Sequence, residues 1–554
     1  MATTTKKIKQ IPTPQEDKQN MASTAIKKVT KMASTEEIKT IAAKKTVFEH
    51  KGAPKSSTST LLSEMASISS DKFTENGAYA HSSTKNPLLD FFAECGALRK
   101  RSDDDIIRLF MSAFDYDETH ALKALFYARD IRGGQGERRT FRIIIRYLAN
   151  SHPDAIARNI ELIPEYGRFD DLYEFVGTPL EDLAFSVIAK QWNADVDALS
   201  SKEYGKVSLL GKWLKSENAS SSKTKELAKL TYQHLGMSPK EYRQSLTTFR
   251  SVIHIVETAM SSGQWDSIDY SKLPALAHKK YRAAFARHDK DGYNTYLESV
   301  KKGETKINAS TLYPYDLVRV YAKIGAYDSN DQIDQTVEAQ WKALPNYMTG
   351  DDSFLVMVDT SGSMYPDAIC SSVGLGIYFA EHAKGIFKNH FITFSDKPRL
   401  VEIPHGENAT LQDKVREVLN PHYVGFSTNL EAAFNMLLKA AVRGKVPQSD
   451  MPRAIVAISD MEIDEACEDP VESTDFTTRM AKKFKAAGYE MPTLVYWNVE
   501  ARHDTFHAEE NDKVTFVSGQ SASTFKTLCE NCDSLSAAAL MMRVLDDERY
   551  GAVR

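Results

Sequence analysis

The stretch Phe354-Leu355-Val356-Met357-Val358-Asp359-Thr360-Ser361-Gly362-Ser363-Met364 sets the reading of the whole chain. Its apolar residues, Phe354 to Val358, run without polar alternation, the pattern of a central strand covered on both faces in a parallel sheet. The polar residues that follow then fall at the carboxyl end of that strand, the edge where open α/β sheets hold their ligands. Asp359, Ser361 and Ser363 stand at i, i+2 and i+4 around Gly362, so one carboxylate and two hydroxyls can converge on a point. Oxygen donors alone suit a hard cation such as Mg2+, which keeps several waters and takes few protein ligands.

Two later stretches extend the pattern. Gly425-Phe426-Ser427-Thr428-Asn429-Leu430 sets a threonine on a loop leading into a helical run, and Ala454 to Asp460 is a second apolar strand ending in an aspartate. In this order the three stretches resemble the metal-ion-dependent adhesion site of von Willebrand factor A domains. The resemblance implies that Ser361, Ser363 and Thr428 ligate a divalent cation directly or through water, with Asp359 and Asp460 acting through water. Mg2+ is the expected ion, with Mn2+ or Ca2+ as substitutes. Other readings of the first stretch fit less well. A haloacid-dehalogenase nucleophile needs a second aspartate where Ser361 stands, and a nucleophile elbow needs G-x-S-x-G. No phosphate-cradling glycine motif opens a helix beside a strand. A plainer reading keeps the fold and uses the site only to brace its loops.

Composition bounds the rest. The chain has 554 residues, 42% hydrophobic and 26% charged, which suits a globular protein of several domains with a flexible part. No run approaches the ~18 apolar residues that cross a bilayer, and no signal-peptide pattern opens the sequence. Five scattered cysteines do not make a disulfide framework. A cytoplasmic, intracellular setting with no membrane partner is therefore expected. The formal net charge of −5 hides an asymmetry. Residues 1–84 carry 13 Lys and Arg against 8 Asp and Glu, residues 85–350 carry 37 against 36, and residues 351–554 carry 20 against 31. Polyanion binding by the acidic C-terminal part is disfavoured, leaving local patches in the middle of the chain or the basic tail.

Along the chain, residues 1–85 read as a disordered Lys/Ser/Thr-rich tail, because nothing in them sustains an apolar period. From about Asn86 helical periodicity takes over, with runs at 137–149, 153–162, 181–199, 222–235, 238–260, 274–300, 312–325 and 331–343. Serial helices with short connections read as an α-helical, HEAT-like solenoid over 86–345. From Asp351 the rhythm turns to βα, with strands expected at 353–359, 390–395, 454–460, 492–498 and 513–518. Helices are expected between them at 366–384, 408–419, 429–442, 475–488 and 522–546. This describes a parallel sheet flanked by helices over 346–554, a Rossmann-like α/β domain of von Willebrand A type. The expected fold is thus multidomain, a helical solenoid followed by that α/β domain.

Two basic islands mark the helical part. In Arg132-Gly133-Gly134-Gln135-Gly136-Glu137-Arg138 the glycines suggest a turn with exposed amides, and Arg138, Arg142 and Arg146 recur every four residues on the following helix. That stripe offers phosphates a surface, although ion-paired, solvated arginines would look the same. Around Lys279, Lys280 and Arg282 the cations interleave with Tyr281 and Phe285, as on single-strand-binding surfaces, while aromatics at i, i+4 equally describe a helix's core face. Cys529 and Cys532 have C-x-x-C spacing but lack the second pair of a zinc ribbon. His382, His390, His422, His503 and His507 are tied to no nucleophile, and Asp464 with Glu465 reads as loop surface after Asp460.

The segments Arg132 to Arg138, Glu165-Tyr166-Gly167-Arg168-Phe169-Asp170-Asp171, Trp265 to Tyr270 and Lys306 to Tyr315 together resemble a family that couples a TROVE-like helical module to a von Willebrand factor A domain. The match covers 86–546. The architecture is similar to that of Ro proteins, ring-shaped binders of small and misfolded RNAs. The resemblance implies a non-catalytic binding protein, an RNA-binding ribonucleoprotein component whose divalent cation contacts a ligand or partner. Small or structured RNA, or a protein offering a carboxylate to the metal, are the expected partners. Arg132, Arg138, Arg142, Arg146, Lys279, Lys280 and Arg282 are the candidate RNA contacts. The alternatives are a metal-dependent protein-interaction scaffold without nucleic acid and, more remotely, a metal-dependent hydrolase.

Overall fold

A computed structural model describes residues 71–74, 79–322, 333–348, 353–395, 397–422, 429–463, 476–508, 514–521, 524, 528 and 536–554. Most of the N-terminal tail, the loop carrying Thr428, the segment with Asp464, Glu465 and Cys467, and the Cys529/Cys532 pair lie outside these residues. The change of texture expected at 345/346 is a change in element type, from helices to a strand-bearing region. Compactness divides the chain elsewhere. One unit holds Ile145–Ile268, and the other combines Ala53–Ile144 with Asp269–Arg554.

The first unit is helical. Its longest helix, Glu181–Ser200, buries Ala184, Phe185, Ile188, Trp192, Val196 and Leu199, the i, i+3, i+4 spacing of one apolar face. Trp192 lies flat on Tyr242 at 6.1 Å and edge-on to Phe249 at 4.9 Å, which fixes the helix Pro239–Val252 beside it. That helix starts on a reciprocal cap between Ser238 and Glu241, with Pro239 at its first position. The periodic run over 238–260 is two helices, because the chain turns at His254, whose φ is 48°.

Among the described residues the second unit is built on a sheet of six strands: β3 (Phe354–Val358), β4 (His390–Thr393), β5 (Leu400–Glu402), β6 (Ala454–Ser459), β7 (Thr493–Asn498) and β8 (Val514–Ser518). A separate hairpin of β1 (Asp71–Phe73) and β2 (Tyr79–His81) precedes them. The sheet order is β5-β4-β3-β6-β7-β8, parallel throughout except for the edge strand β5. Counted within the sheet, the order reverses between β3 and β6, so these two central strands flank the switch point of a doubly wound fold. Phe354, Val356 and Val358 share one buried cluster with Ala454, Val456, Ile458, Val495 and Trp497, the alternation of one sheet face. Leu355, Met357, Ile455, Ala457, Leu494 and Tyr496 are buried as well, so both faces are covered. This is why the strands read as unbroken apolar runs.

The same cluster takes in Ala275, Leu317, Val318, Val337 and Trp341 from the helices that precede the sheet, together with the helix Ala368–His382. The run over 274–300 divides into Ala275–His288 and Lys290–Lys301 at Asp289, whose carboxylate caps the second helix and accepts the Tyr270 hydroxyl at 2.7 Å. At the far edge, helix Pro87–Glu94 contacts β8. The chain after it is pressed so close that a side chain on Gly96 would meet the Gly519 backbone at 2.8 Å. Of the helix expected over 522–546, the described residues give Ala537–Leu545. Among the described residues no helix is long and apolar enough to cross a membrane.

Candidate metal centre

Asp359 and Asp460 follow directly on β3 and β6, which pair in register with Val358 opposite Ile458. The two carboxylates therefore emerge from neighbouring strands at the carboxyl edge of the sheet. Both are buried, at 0% and 1% exposure, an arrangement that costs free energy unless something compensates it. Asp359 accepts the Ser361 amide at 2.8 Å on one oxygen and the Ser459 hydroxyl at 2.5 Å on the other. Ser361 and Ser363 set their hydroxyls 3.1 Å apart. Asp460 accepts the Glu462 amide at 3.3 Å through Oδ1, and the Ser363 hydroxyl also favours its ionised form. Its Oδ2 is buried without a hydrogen-bond donor among the described residues. Met461 follows at φ 65°, a left-handed backbone costly for a non-glycine, with its carbonyl held by His507 Nε2 at 2.9 Å.

Burial, and secondarily the neighbouring Asp460, push the Asp359 carboxyl up to about 7. Asp460 is raised too, again by burial, although Arg502 opposes the shift. Among the described residues Arg502 reaches the pair. Its Nη2 lies 3.5 Å from Asp460 Oδ2 and also contacts the Ser363 carbonyl, while Nε lies 3.5 Å from Glu500 Oε1. Lys100 holds that same Glu500 oxygen at 2.8 Å. Two desolvated carboxylates, one oxygen of them orphaned, beside two paired hydroxyls form a donor set suited to a hard divalent cation. Thr428 lies outside the described residues, and its neighbour Asn429 caps the helix Leu430–Gly444. Among the described residues no three His, Cys, Asp or Glu side chains gather as a metal cluster; the expected set contains only two such residues.

The basic islands are placed differently. The glycine turn faces inward: the amides of Gln135, Gly136 and Glu137 donate to the carbonyls of Tyr127, Asp130 and Ala128 at 3.1, 3.0 and 2.7 Å. Gly134 has no room for a side chain, since a Cβ there would sit 2.0 Å from the Tyr127 oxygen. Arg132 and Arg138 are exposed, and Arg142 is half-buried. Arg146 donates to the Glu174 and Val176 carbonyls at 2.9 and 3.3 Å. Lys279 pairs with Asp316, and Arg282 pairs with Asp334 at 2.6 Å. Lys280 is exposed, its ammonium 4.7 Å from the Tyr281 ring centre, whereas Phe285 belongs to the core. Sequence reasoning missed Ser459, Glu500 and Arg502. The signal available was positional, because Glu500 and Arg502 follow the next parallel strand and all such strand ends share one edge.

The fold and site define an α/β protein with preceding helices and a buried acidic, hydroxyl-bearing cluster at the switch point of a mostly parallel sheet. The chain belongs to the family described as "Domain of unknown function (DUF2828)", which matches residues 74–184 and 180–351; residues 353–549 match "Domain of unknown function (DUF7788)". A relative from Acanthamoeba polyphaga mimivirus, "Uncharacterized protein L728", is 30% identical over 521 residues, covering 87% of this chain and 88% of the relative. The crystal structure of the Ro (RSR) protein of Deinococcus radiodurans spans 85% of this chain and 100% of its own. It does so at 13% identity and a TM-score of 0.39, too slight a likeness to carry an argument.

Proposed function

We propose that this chain is a non-catalytic binding protein whose α/β part is of von Willebrand factor A type. In this reading Ser361, Ser363 and Thr428, with Asp359 and Asp460 acting through water, hold Mg2+ or a related divalent cation with a coordination position left for a partner's oxygen. The carrying observation is the convergence of Asp359 and Asp460 at the β3/β6 switch point, both buried, with Asp460 Oδ2 lacking a donor among the described residues. The full chain, stripped with chelator and titrated calorimetrically with Mg2+ and Mn2+, is expected to take up one ion. Asp359→Asn and Ser361→Ala should each weaken uptake about tenfold or more. Undiminished uptake by both variants would refute the site.

RNA is the partner class that the exposed Arg132, Arg138 and Lys280 favour. The pairing of Lys279 with Asp316 and of Arg282 with Asp334 favours instead a scaffold for proteins, with a carboxylate completing the metal's shell. Filter binding of structured RNA at two salt concentrations separates them. An RNA binder loses affinity steeply as salt rises, while a scaffold retains no RNA at low salt and captures protein only with the metal present.

A further inference from the structure

Arg502 is a cation where the proposed reading requires a metal. It rides on the loop after β7, and that loop is fixed on both sides of it. Glu500 is held by Lys100 at 2.8 Å, and the Ala501 amide donates to the Ala97 carbonyl at 3.0 Å. Asp504 accepts from Arg101 at 2.5 Å and from Arg108 at 2.9 Å. The backbone is thus held in place while the Arg502 side chain, 26% exposed, reaches over the site. Its guanidinium donates to the Ser363 carbonyl and stands between two carboxylates, with Nη2 3.5 Å from Asp460 Oδ2, which accepts no hydrogen bond among the described residues, and Nε 3.5 Å from Glu500 Oε1. A divalent cation drawing on Asp460 would stand close to this like charge in a desolvated site, where the repulsion is strong.

Resting on the metal-site reading above, we propose that Arg502 is a built-in counter-cation that neutralises Asp460 while the site holds no metal, and withdraws onto Glu500 when a divalent ion binds. Metal and guanidinium then compete for one carboxylate. The protein keeps its buried acidic pair compensated in either state, and the competition sets how much free divalent ion the site needs. Arg502 acts through Asp460 and is a positioning residue.

The test uses the full chain with Mn2+ alone as the probe, its free concentration read by paramagnetic resonance, and thermal unfolding in chelator as a second readout. Arg502→Gln should bind Mn2+ about tenfold more tightly than the native chain, the scale of a modest coupling between mutually exclusive ligands. It should also unfold at a lower temperature than the native chain in chelator and regain more on adding Mn2+. Arg502→Lys, which keeps the charge, should stay near native affinity. If the Gln variant does not fold, Arg502→Met preserves the length of the stem and carries the same expectation. Equal or weaker Mn2+ binding by the neutral variant, beside a native chain that binds, overturns the counter-cation and leaves the metal site standing. No uptake by either chain overturns both.

Discussion

His278 shows how a single side chain becomes a pH-sensitive strut. It is fully buried among rings, stacked on Tyr296 at 5.5 Å and Tyr293 at 6.1 Å, with Nε2 2.9 Å from the Tyr270 carbonyl. Burial lowers its imidazolium to about 4. The folded chain therefore binds fewer protons than the unfolded one between that value and about 6.5. Stability is fully present above the unfolded value and is lost as pH falls through this window, by up to about 3 kcal/mol. Chemical denaturation of the native chain and His278→Gln at pH 7 and pH 4.5 checks this: the native chain should lose stability on acidification, and the variant much less. The sequence marked the surrounding stretch as basic and aromatic but left open whether its aromatics faced a ligand or the core. Periodicity could not decide, because Tyr281 and Phe285 share a helical face in either case. Burial decides it for Phe285. The glycines at 133–136 suggest exposed amides by their sequence, whereas in the fold they permit a close turn, Gly136 at φ 68° lying against the Tyr313 hydroxyl. Sequence spacing shows that a turn is tight without showing which way its amides point.

Among elements, the loop that follows β7 carries more of the site's order than its irregular backbone suggests. Asp504 is its anchor, accepting from the buried Arg101 and the exposed Arg108. Burial works to raise its carboxyl, but these two arginines outweigh that and hold it below the usual carboxylate range. Asp504→Ala would leave Arg101 with only the longer pairs to Glu94 at 3.5 Å and Asp105 at 4.0 Å, and should cost about 2 kcal/mol, since one partner of a buried charged pair is removed. Denaturant melts of the full chain measure that loss, and a change within error of zero would show the anchor to be ornamental. The central strands were legible for the opposite reason. Phe354–Val358 and Ala454–Ser459 are covered on both faces, so they announce themselves as continuous apolar runs ending in Asp359 and Asp460. Strand β5 is three residues with only Val401 buried, and β1 and β2 are equally short. Such edges carry no period long enough to read. The β1–β2 hairpin gains its place from a distant backbone bridge, His81 to Phe506, at 2.7 and 2.9 Å. For Arg502 the sequence offers only its position after the next parallel strand; which carboxylate it reaches depends on where the loop returns, a long-range fact with no local spacing.

At the scale of the whole chain, the shared cores have a consequence for which pieces can fold. The unit containing the sheet draws on Ala53–Ile144 as well as Asp269–Arg554. Helix Pro87–Glu94 is apolar nearly throughout and buries Leu88, Leu89, Phe91 and Phe92 at or below 4% exposure. The Gly96 amide donates to the Ser518 hydroxyl at 3.0 Å, and Gly96 approaches Gly519 too closely for either backbone to admit a side chain between them. On the opposite side of the sequence, Trp341 gives its indole N–H to Glu381 at 2.8 Å, and Gln340 donates to the Ala275 carbonyl at 2.9 Å. A fragment cut at the change of texture, 346–554, would therefore bare the β8 edge of the sheet and the outer side of helix Ala368–His382, where Gly374 lies against Pro314 and Tyr315. Each large apolar side chain so exposed forfeits about 1.5–3 kcal/mol, and a few such losses exceed the margin of a typical domain. Produced alone, 346–554 should be insoluble or bind a hydrophobic dye without a cooperative melt. The fragment 269–554 co-produced with 53–144 should copurify as a complex that melts cooperatively. Soluble, cooperatively unfolding 346–554 would contradict this, and would mean that the preceding helices are passengers on a domain complete without them.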